Sequence, residues 1–477
     1  MRNLTMLTDL YQLTMMYGYF KKGMHESIAV FDMFFRRSVG DSTYAVMAGL
    51  EQLIEIINDL HFAEEDIDYL RSLNLFDEDF FEYLQNMRFD GEIYAIPEGT
   101  VVFPGEPLVR VKAKIILAQL IETVLLNLIN HQTLIATKAS RIVHAADGDV
   151  VLEFGLRRAQ GPDAGVYGAR AAIIGGCDST SNVLTAQYFG GAPKGTHAHS
   201  WIMSFDSELE AFRAYAEVFP DSCMLLVDTY DTLRSGMPNA ITVFKELRAA
   251  GHKPAGIRLD SGDIAYLSKR ARQMLDEEGF TDVPICASGD LDEYLIRELK
   301  QQGARVNIWG VGTKLITSED YPALGGVYKL VAVERHGILE PRIKISENIE
   351  KITTPAYKKV VRIYDNATHK AIADLIMLEE EEIDETEPLI IFSPTETWKR
   401  STLTNYYVKD LLQPIFVEGK QVYTSPSMLE IRDYAKEDLA TFWEEYKRFV
   451  RPHIYKVDLS QKLYDLKHEM IIEGKHE

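Results

Sequence analysis

The chain has 477 residues, of which 46% are hydrophobic and 26% charged, and a formal net charge of -21 at neutral pH. That length allows about three domains and needs no staple to hold a core. The acidic balance argues against nonspecific binding to nucleic acid or to an anionic membrane, so an anionic substrate requires a local basic pocket.

Three cysteines, Cys177, Cys223 and Cys286, are too few and too scattered for a disulfide framework or a thiolate metal site, and a cytoplasmic location is expected. Near the start, Asp9, Gln12 and the threonines break any signal-peptide core. Residues 1–90 read as mostly helical, with one strand at Ile28–Phe35. Residues 91–112 switch to short β-type runs punctuated by Pro97, Gly99, Pro104, Gly105 and Pro107. A long helix is expected over 115–141. Its apolar part is interrupted by Gln119, Glu122 and Asn127, so it is no membrane span.

The most regular part of the chain follows. Apolar strand-type runs fall at 150–154, 223–227, 256–259, 283–287 and 306–309. Between most of them lie helical faces, such as Ile241, Phe244 and Leu247, then Ile264, Leu267, Ala271 and Met274. This alternation predicts a parallel sheet. After Gly325-Gly326 β-type segments return at 327–334 and 360–364, the acidic run 379–387 reads as a solvated linker, and 388–477 form a smaller α/β segment. The expected division is 1–130 as an N-terminal α/β domain, 131–330 as a β/α barrel, 331–385 as strands returning to the first domain, and 386–477 as the C-terminal segment.

Polar and reactive residues follow nearly every strand of the regular part: Asp228 after the second run, Arg258 to Asp263 at the third, Ser288, Gly289 and Asp290 after the fourth, and Gly310 to Lys314 after the fifth. An open doubly wound sheet concentrates chemistry at one switch point, whereas a barrel gathers it from many strand ends, so an irregular barrel is favoured. Arg157 and Arg158, just beyond the first run, repel each other unless an anion is shared, and their forks of donors match phosphate or carboxylate. The alternative is a solvated basic turn. Gly310-Val311-Gly312-Thr313-Lys314 suits a phosphate approached by backbone N–H groups, or else is a tight turn with a surface lysine. Asp260 is a candidate to hold a divalent ion or to stabilise positive charge, and Asp263 a helix cap. His197 and His199 have a metal-ligand spacing, but no further ligands accompany them. A single histidine serving as base or phosphoryl-accepting nucleophile stays open beside a structural role. The small polar segment 175–182 reads as an N-cap cluster.

Six segments in order carry a resemblance: Thr8-Asp9-Leu10-Tyr11-Gln12, 153–163, Gly175-Gly176 with Thr180-Ser181-Asn182, Gly195-Thr196 with Ala198-His199-Ser200, 258–263 and 310–313. Together they resemble the nicotinate phosphoribosyltransferases, relatives of the nicotinamide and quinolinate enzymes. The resemblance implies an irregular β/α barrel plus an α/β domain built from the N-terminal region and the post-barrel strands. It implies formation of nicotinate mononucleotide and pyrophosphate from nicotinate and phosphoribosyl pyrophosphate in NAD biosynthesis, coupled to ATP hydrolysis through a phosphohistidine at His199. In a homodimer with shared sites, the partner subunit's Tyr11 and Phe154 sandwich the pyridine ring, while Thr196 and Arg258 contact nicotinate. Arg157, Asp178, Gly289, Gly310, Gly312 and Thr313 take phosphoribosyl pyrophosphate, and Asp260 lies near the ribose and Mg²⁺. The segment Pro355-Ala356-Tyr357-Lys358 departs from the family, which often has glycine after the proline, so no role is assigned to Lys358. The rival readings are use of nicotinamide, which a carboxylate such as Asp178 at the ring favours, a non-catalytic phosphosugar-binding barrel, and a metal-dependent hydrolase using His197 and His199.

Overall fold

The computed structural model describes residues 3–474. They form two compact units, one of residues 3–134, 323–426 and 434–474, the other of Ile135–Pro322 and Ser427–Asp433. No helix among the described residues is long and apolar enough to cross a membrane.

The first unit is built on a seven-stranded antiparallel sheet in the order Ile338–Pro341, Gly326–Arg335, Ile28–Phe35, Val109–Lys114, Glu92–Ala95, Gln413–Val417 and Lys420–Gln421. The strands after residue 323 thus complete a sheet begun at the N-terminus. Ile28–Phe35 is nearly continuous in apolar character because it lies mid-sheet with both faces largely covered. A second sheet, ordered Tyr406–Asp410, Lys358–Asp365, Ala371–Leu378 and Val457–Leu459, weaves the last residues into the same unit. Beneath it the fully buried Arg362 donates to Asp374 at 2.7 and 2.8 Å and to the Val101 carbonyl at 2.7 Å, and Tyr455 donates to Asp374 at 3.0 Å. A buried charge needs such partners to be tolerated.

The structure gives Lys358 a place and changes two expectations. Lys358 is a buried partner of Asp32, and burial lowers its pKa against the pull of that carboxylate. The acidic run is no free linker, since Glu379 pairs with the buried Arg110 and Glu381 accepts from Leu378 N–H and the Ser460 hydroxyl. The expected long helix is two, Ile115–Leu120 and Glu122–Ala146, separated at Ile121 where ψ is -7°. Asp9 occupies the N-cap of Leu10–Lys21, but its carboxylate accepts the Thr123 hydroxyl at 3.1 Å rather than its own helix.

The second unit holds six strands: β1 (Val150–Glu153), β2 (Ser179–Thr180), β3 (Met224–Leu226), β4 (Gly256–Leu259), β5 (Ile285–Gly289) and β6 (Ile308–Val311). All pairings are parallel, in the spatial order β2-β1-β6-β5-β4-β3. That order is the sequence order read around a circle, with strand six beside strand one. A doubly wound sheet reverses direction at a switch point and cannot give it. The arrangement is a β/α barrel with one side, between β2 and β3, not closed by strand pairing. Helices Pro162–Ile174, Met237–Ala249, Ile264–Glu277 and Glu293–Gln301 follow β1, β3, β4 and β5. Asp263 caps the third of these through Tyr266 N–H at 2.9 Å, and Asn182 caps Val183–Phe189 through Leu184 and Thr185 N–H. Because the strands are parallel, their carboxyl ends and the residues beyond them gather at one end.

Candidate active site

A cavity of about 360 Å³ opens at that end. Phe154, Arg157, Thr196, Arg258, Asp260, Gly289, Gly310, Gly312 and Thr313, all expected site residues, line it. Arg158, Ser288 and Asp290 join them. Asp178 is not among the lining residues: its carboxylate accepts Val151 N–H at 2.8 Å and ties down the start of β1. Tyr11 belongs to the first unit, on helix Leu10–Lys21, and is 50% exposed.

The first wall is built from β1. Phe154 N–H donates to the Val311 carbonyl at 2.8 Å, which extends the pairing of β1 with β6 by one residue. The fully buried Glu153 accepts from the Thr180 hydroxyl at 2.6 Å and from Gly155 N–H, so both sides of Phe154 are anchored. Burial pushes the Glu153 carboxyl upward and these hydrogen bonds draw it partly back. The Phe154 ring lies against Gly310 of β6: a Cβ there stands 2.6 Å from ring Cδ2 and 2.7 Å from Cε2. Gly310 is therefore glycine because the ring occupies the space of its side chain, a reason distinct from the expected backbone approach to phosphate. Arg157 and Arg158 sit in the short 3₁₀ turn Leu156–Arg158, exposed, and neither has an ion pair among the described residues.

The opposite wall comes from β3, β4 and β5. Arg258, with its side chain 15% exposed, donates through Nη1 to the Thr196 hydroxyl at 2.6 Å, and its Nη2 stands 4.0 Å from Asp260 Oδ1. Its Nε is buried without a hydrogen-bond partner among the described residues. Asp260 accepts from the Ser288 hydroxyl, and its own N–H donates to Asp228 Oδ2 at 3.0 Å. Asp228 also takes the Ser261 hydroxyl at 2.5 Å, so one carboxylate fixes the turn that presents the other. Gly289, at the end of β5, has φ +127°, a conformation side chains rarely adopt, and a Cβ there lies 3.3 Å from the Asp260 carbonyl. His199 opens the short helix His199–Met203 with Nδ1 3.1 Å from the Thr229 hydroxyl and Nε2 3.7 Å from Asp260 Oδ2.

Cations that accept anions thus face carboxylates that stabilise positive charge, across a slot walled by an aromatic ring. Sequence position had marked Asp228, Ser288 and Asp290 as strand-end residues without giving them roles. Thr229 was missed, although it directly follows Asp228 beyond the end of β3. Among the described residues no cluster of three or more His, Cys, Asp or Glu forms a protein-made metal cage. Asp260 and Asp290 both line the cavity.

Comparison with known proteins agrees along the whole chain. Family models described as the nicotinate phosphoribosyltransferase N-terminal domain, family and C-terminal domain match residues 6–130, 150–368 and 357–467. The chain is 50% identical over 473 residues to a Bacillus subtilis nicotinate phosphoribosyltransferase, covering 99% of this chain and 96% of that one. It is 36% identical to a Caenorhabditis elegans protein of the same name, over 98% of this chain and 93% of that one. The crystal structure of human nicotinic acid phosphoribosyltransferase superposes with a TM-score of 0.87 at 31% identity, covering 97% of this chain and 99% of that one.

Proposed function

The chain belongs to the nicotinate phosphoribosyltransferase family, and from that premise we propose that it joins nicotinate to phosphoribosyl pyrophosphate in NAD biosynthesis, giving nicotinate mononucleotide and pyrophosphate. The observation that carries the reading is the convergence of Phe154, Arg258, Asp260 and Arg157 on one cavity. The pyridine nitrogen attacks the anomeric carbon. A C–N bond forms as the C–O bond to pyrophosphate breaks, and the electron pair leaves with pyrophosphate. The nitrogen is already a nucleophile, so orientation matters more than deprotonation. Phe154 and the partner subunit's Tyr11 hold the ring's two faces, and Arg258 and Thr196 hold its carboxylate. Asp260 stabilises the positive charge that develops on the ribose, while Arg157 with the backbone of Gly289, Gly312 and Thr313 receives the phosphates. Asp260 and Asp290 would hold Mg²⁺, which when bound neutralises pyrophosphate.

ATP coupling is assigned to His199, which accepts the γ-phosphoryl group while ADP departs. Its imidazole is steadied by Thr229 and faces Asp260. A homodimer is supported by the exposed Leu7, Leu10 and Tyr11 on one short stretch (43%, 52% and 50%). The three buried free thiols support a reducing, cytoplasmic compartment. Nicotinate rather than nicotinamide is favoured because a guanidinium lines the cavity while Asp178 is engaged by Val151.

The test is incubation with phosphoribosyl pyrophosphate, Mg²⁺ and either pyridine, with and without ATP, followed by mass spectrometry of products and protein. Nicotinate mononucleotide should form, and absence of product with nicotinate ends the reading. His199→Ala should keep a basal transferase rate reduced about tenfold and lose both ATP stimulation and the phosphorylated species. Full ATP coupling in that variant would remove His199 from the role. Gly310→Ala should force the Phe154 ring into the slot and raise the KM for nicotinate about tenfold, as overpacking by one methyl costs on the order of 1–3 kcal/mol. A rise confined to the KM for phosphoribosyl pyrophosphate would return Gly310 to the phosphate loop.

A further inference from the structure

The open side of the barrel is not bare. On the β2 edge, the Ser179 hydroxyl donates to the Ala192 carbonyl at 2.7 Å and Lys194 N–H donates to the Thr180 carbonyl at 2.9 Å. On the β3 edge, Val227 N–H is used by the Arg258 carbonyl of β4, and Leu226 N–H, pointing the other way, has no strand to meet. Its acceptor is Nε2 of His197 at 3.4 Å. A buried N–H without an acceptor costs about as much as a lost hydrogen bond, so the imidazole answers a need created by the missing strand.

We infer that the segment 192–198 is a surrogate strand across the open side of the barrel, and that His197 is the positioning residue that fastens it to β3 and thereby sets Thr196 and His199 in place.

The surroundings suit that task. His197 is 7% exposed and meets the Tyr215 ring edge-on at 4.6 Å, with Phe212 beyond at 6.4 Å. Burial, opposed by a backbone hydrogen bond at Ala198 and aided by the charges of Arg258 and the neighbouring His199, pushes its pKa down to about 4, so its imidazole is neutral, and with the proton on Nδ1 the Nε2 atom accepts from Leu226. Thr196, one residue earlier, takes the Arg258 guanidinium, and His199, two residues later, faces Asp260. Movement of the His197 anchor therefore reaches both the ring-carboxylate contacts and the phosphoryl acceptor, whereas the Gly312–Thr313 loop lies on the far side of the barrel, beyond β6.

The kinetic arm of the test rests on the proposed transferase reading, and the exchange arm does not. His197→Gln carries an acceptor at the same reach as Nε2, and His197→Asn is one bond shorter. Both are polar amides of similar cost to the fold. In the Asn variant, hydrogen exchange at Leu226 should accelerate, the KM for nicotinate should rise about tenfold, and ATP-dependent labelling of His199 should fall. The KM for phosphoribosyl pyrophosphate should stay within about twofold. The Gln variant should restore all of these. Wild-type exchange in the Asn variant overturns the proposal, as does a Gln variant no better than Asn. A fall in kcat that tracks melting temperature with both KM values unchanged also overturns it, since that is loss of folded enzyme alone. Wild-type protein inactive on nicotinate, with Leu226 exchange still accelerated in the Asn variant and restored in the Gln variant, would instead fault the transferase reading.

Discussion

Asp260→Asn should lower kcat by about a thousandfold, the scale expected when a group aimed at charge that develops only in the transition state is lost. Asparagine keeps the shape and can still accept the Ser288 hydroxyl and keep its own N–H on Asp228, so the turn should hold. What disappears is the negative charge that the proposed reaction sets against the ribose, which matters little before the C–O bond stretches and most when the sugar is oxocarbenium-like. The KM for nicotinate should move far less than kcat, because the proposed pose gives its carboxylate to Arg258 and Thr196 and not to Asp260. Steady-state kinetics at saturating phosphoribosyl pyrophosphate, with Mg²⁺ varied, check this. A loss recovered by raising Mg²⁺ means the carboxylate serves mainly as a metal ligand. A kcat within about threefold of wild type removes Asp260 from the chemistry altogether. Asp228→Asn should give a milder version, since it acts through the Asp260 N–H and Ser261 alone.

The barrel and most of its mouth were legible because each long strand announces itself twice, as an apolar run and as the polar cluster beyond its carboxyl end. Arg258, Asp260, Gly310 and Thr313 were found in this way without reference to any contact between them. The parts that were not legible lack one of those marks. β2 is two residues, Ser179 and Thr180, with no apolar run to betray it, so an irregular or incomplete barrel was expected but neither this strand nor the place of the gap beside it was foreseen. His197 looked like a possible metal ligand because spacing cannot reveal that a strand edge needs an acceptor. Asp178 follows the glycine pair and looked free for phosphate, yet Val151 N–H at the opposite end of β1 claims it. Gly310 was placed in the right cavity for a reason the packing changes, as only the Phe154 ring shows what its missing side chain leaves room for. In the first unit, pairings such as Lys358 with Asp32 join residues hundreds of positions apart, which no local pattern records.

Arg258→Ala should reduce kcat/KM for nicotinate about a hundredfold while leaving the much lower value for nicotinamide nearly unchanged, so that the preference for the acid collapses. A charge-assisted hydrogen bond is worth roughly twice a neutral one, and removal of a mostly buried guanidinium from a carboxylate corresponds to a few kcal/mol. Arg258 is suited to this because β4 and the Thr196 hydroxyl hold it rigid, which leaves the ligand little ordering to impose. Nicotinamide has no anionic oxygen to lose there, and its binding through ring stacking on Phe154 should survive. Arg258→Lys separates charge from geometry: it keeps the cation but lacks the planar fork, so it should fall between wild type and alanine. The deciding quantity is the ratio of kcat/KM for the two pyridines, measured in all three proteins at one Mg²⁺ concentration. An unchanged ratio in Arg258→Ala, even with lower activity throughout, places discrimination elsewhere and leaves Arg258 as a support for Thr196. A ratio that falls stepwise through lysine to alanine fixes the carboxylate against the guanidinium, and with it the ring nitrogen's line of approach to the sugar.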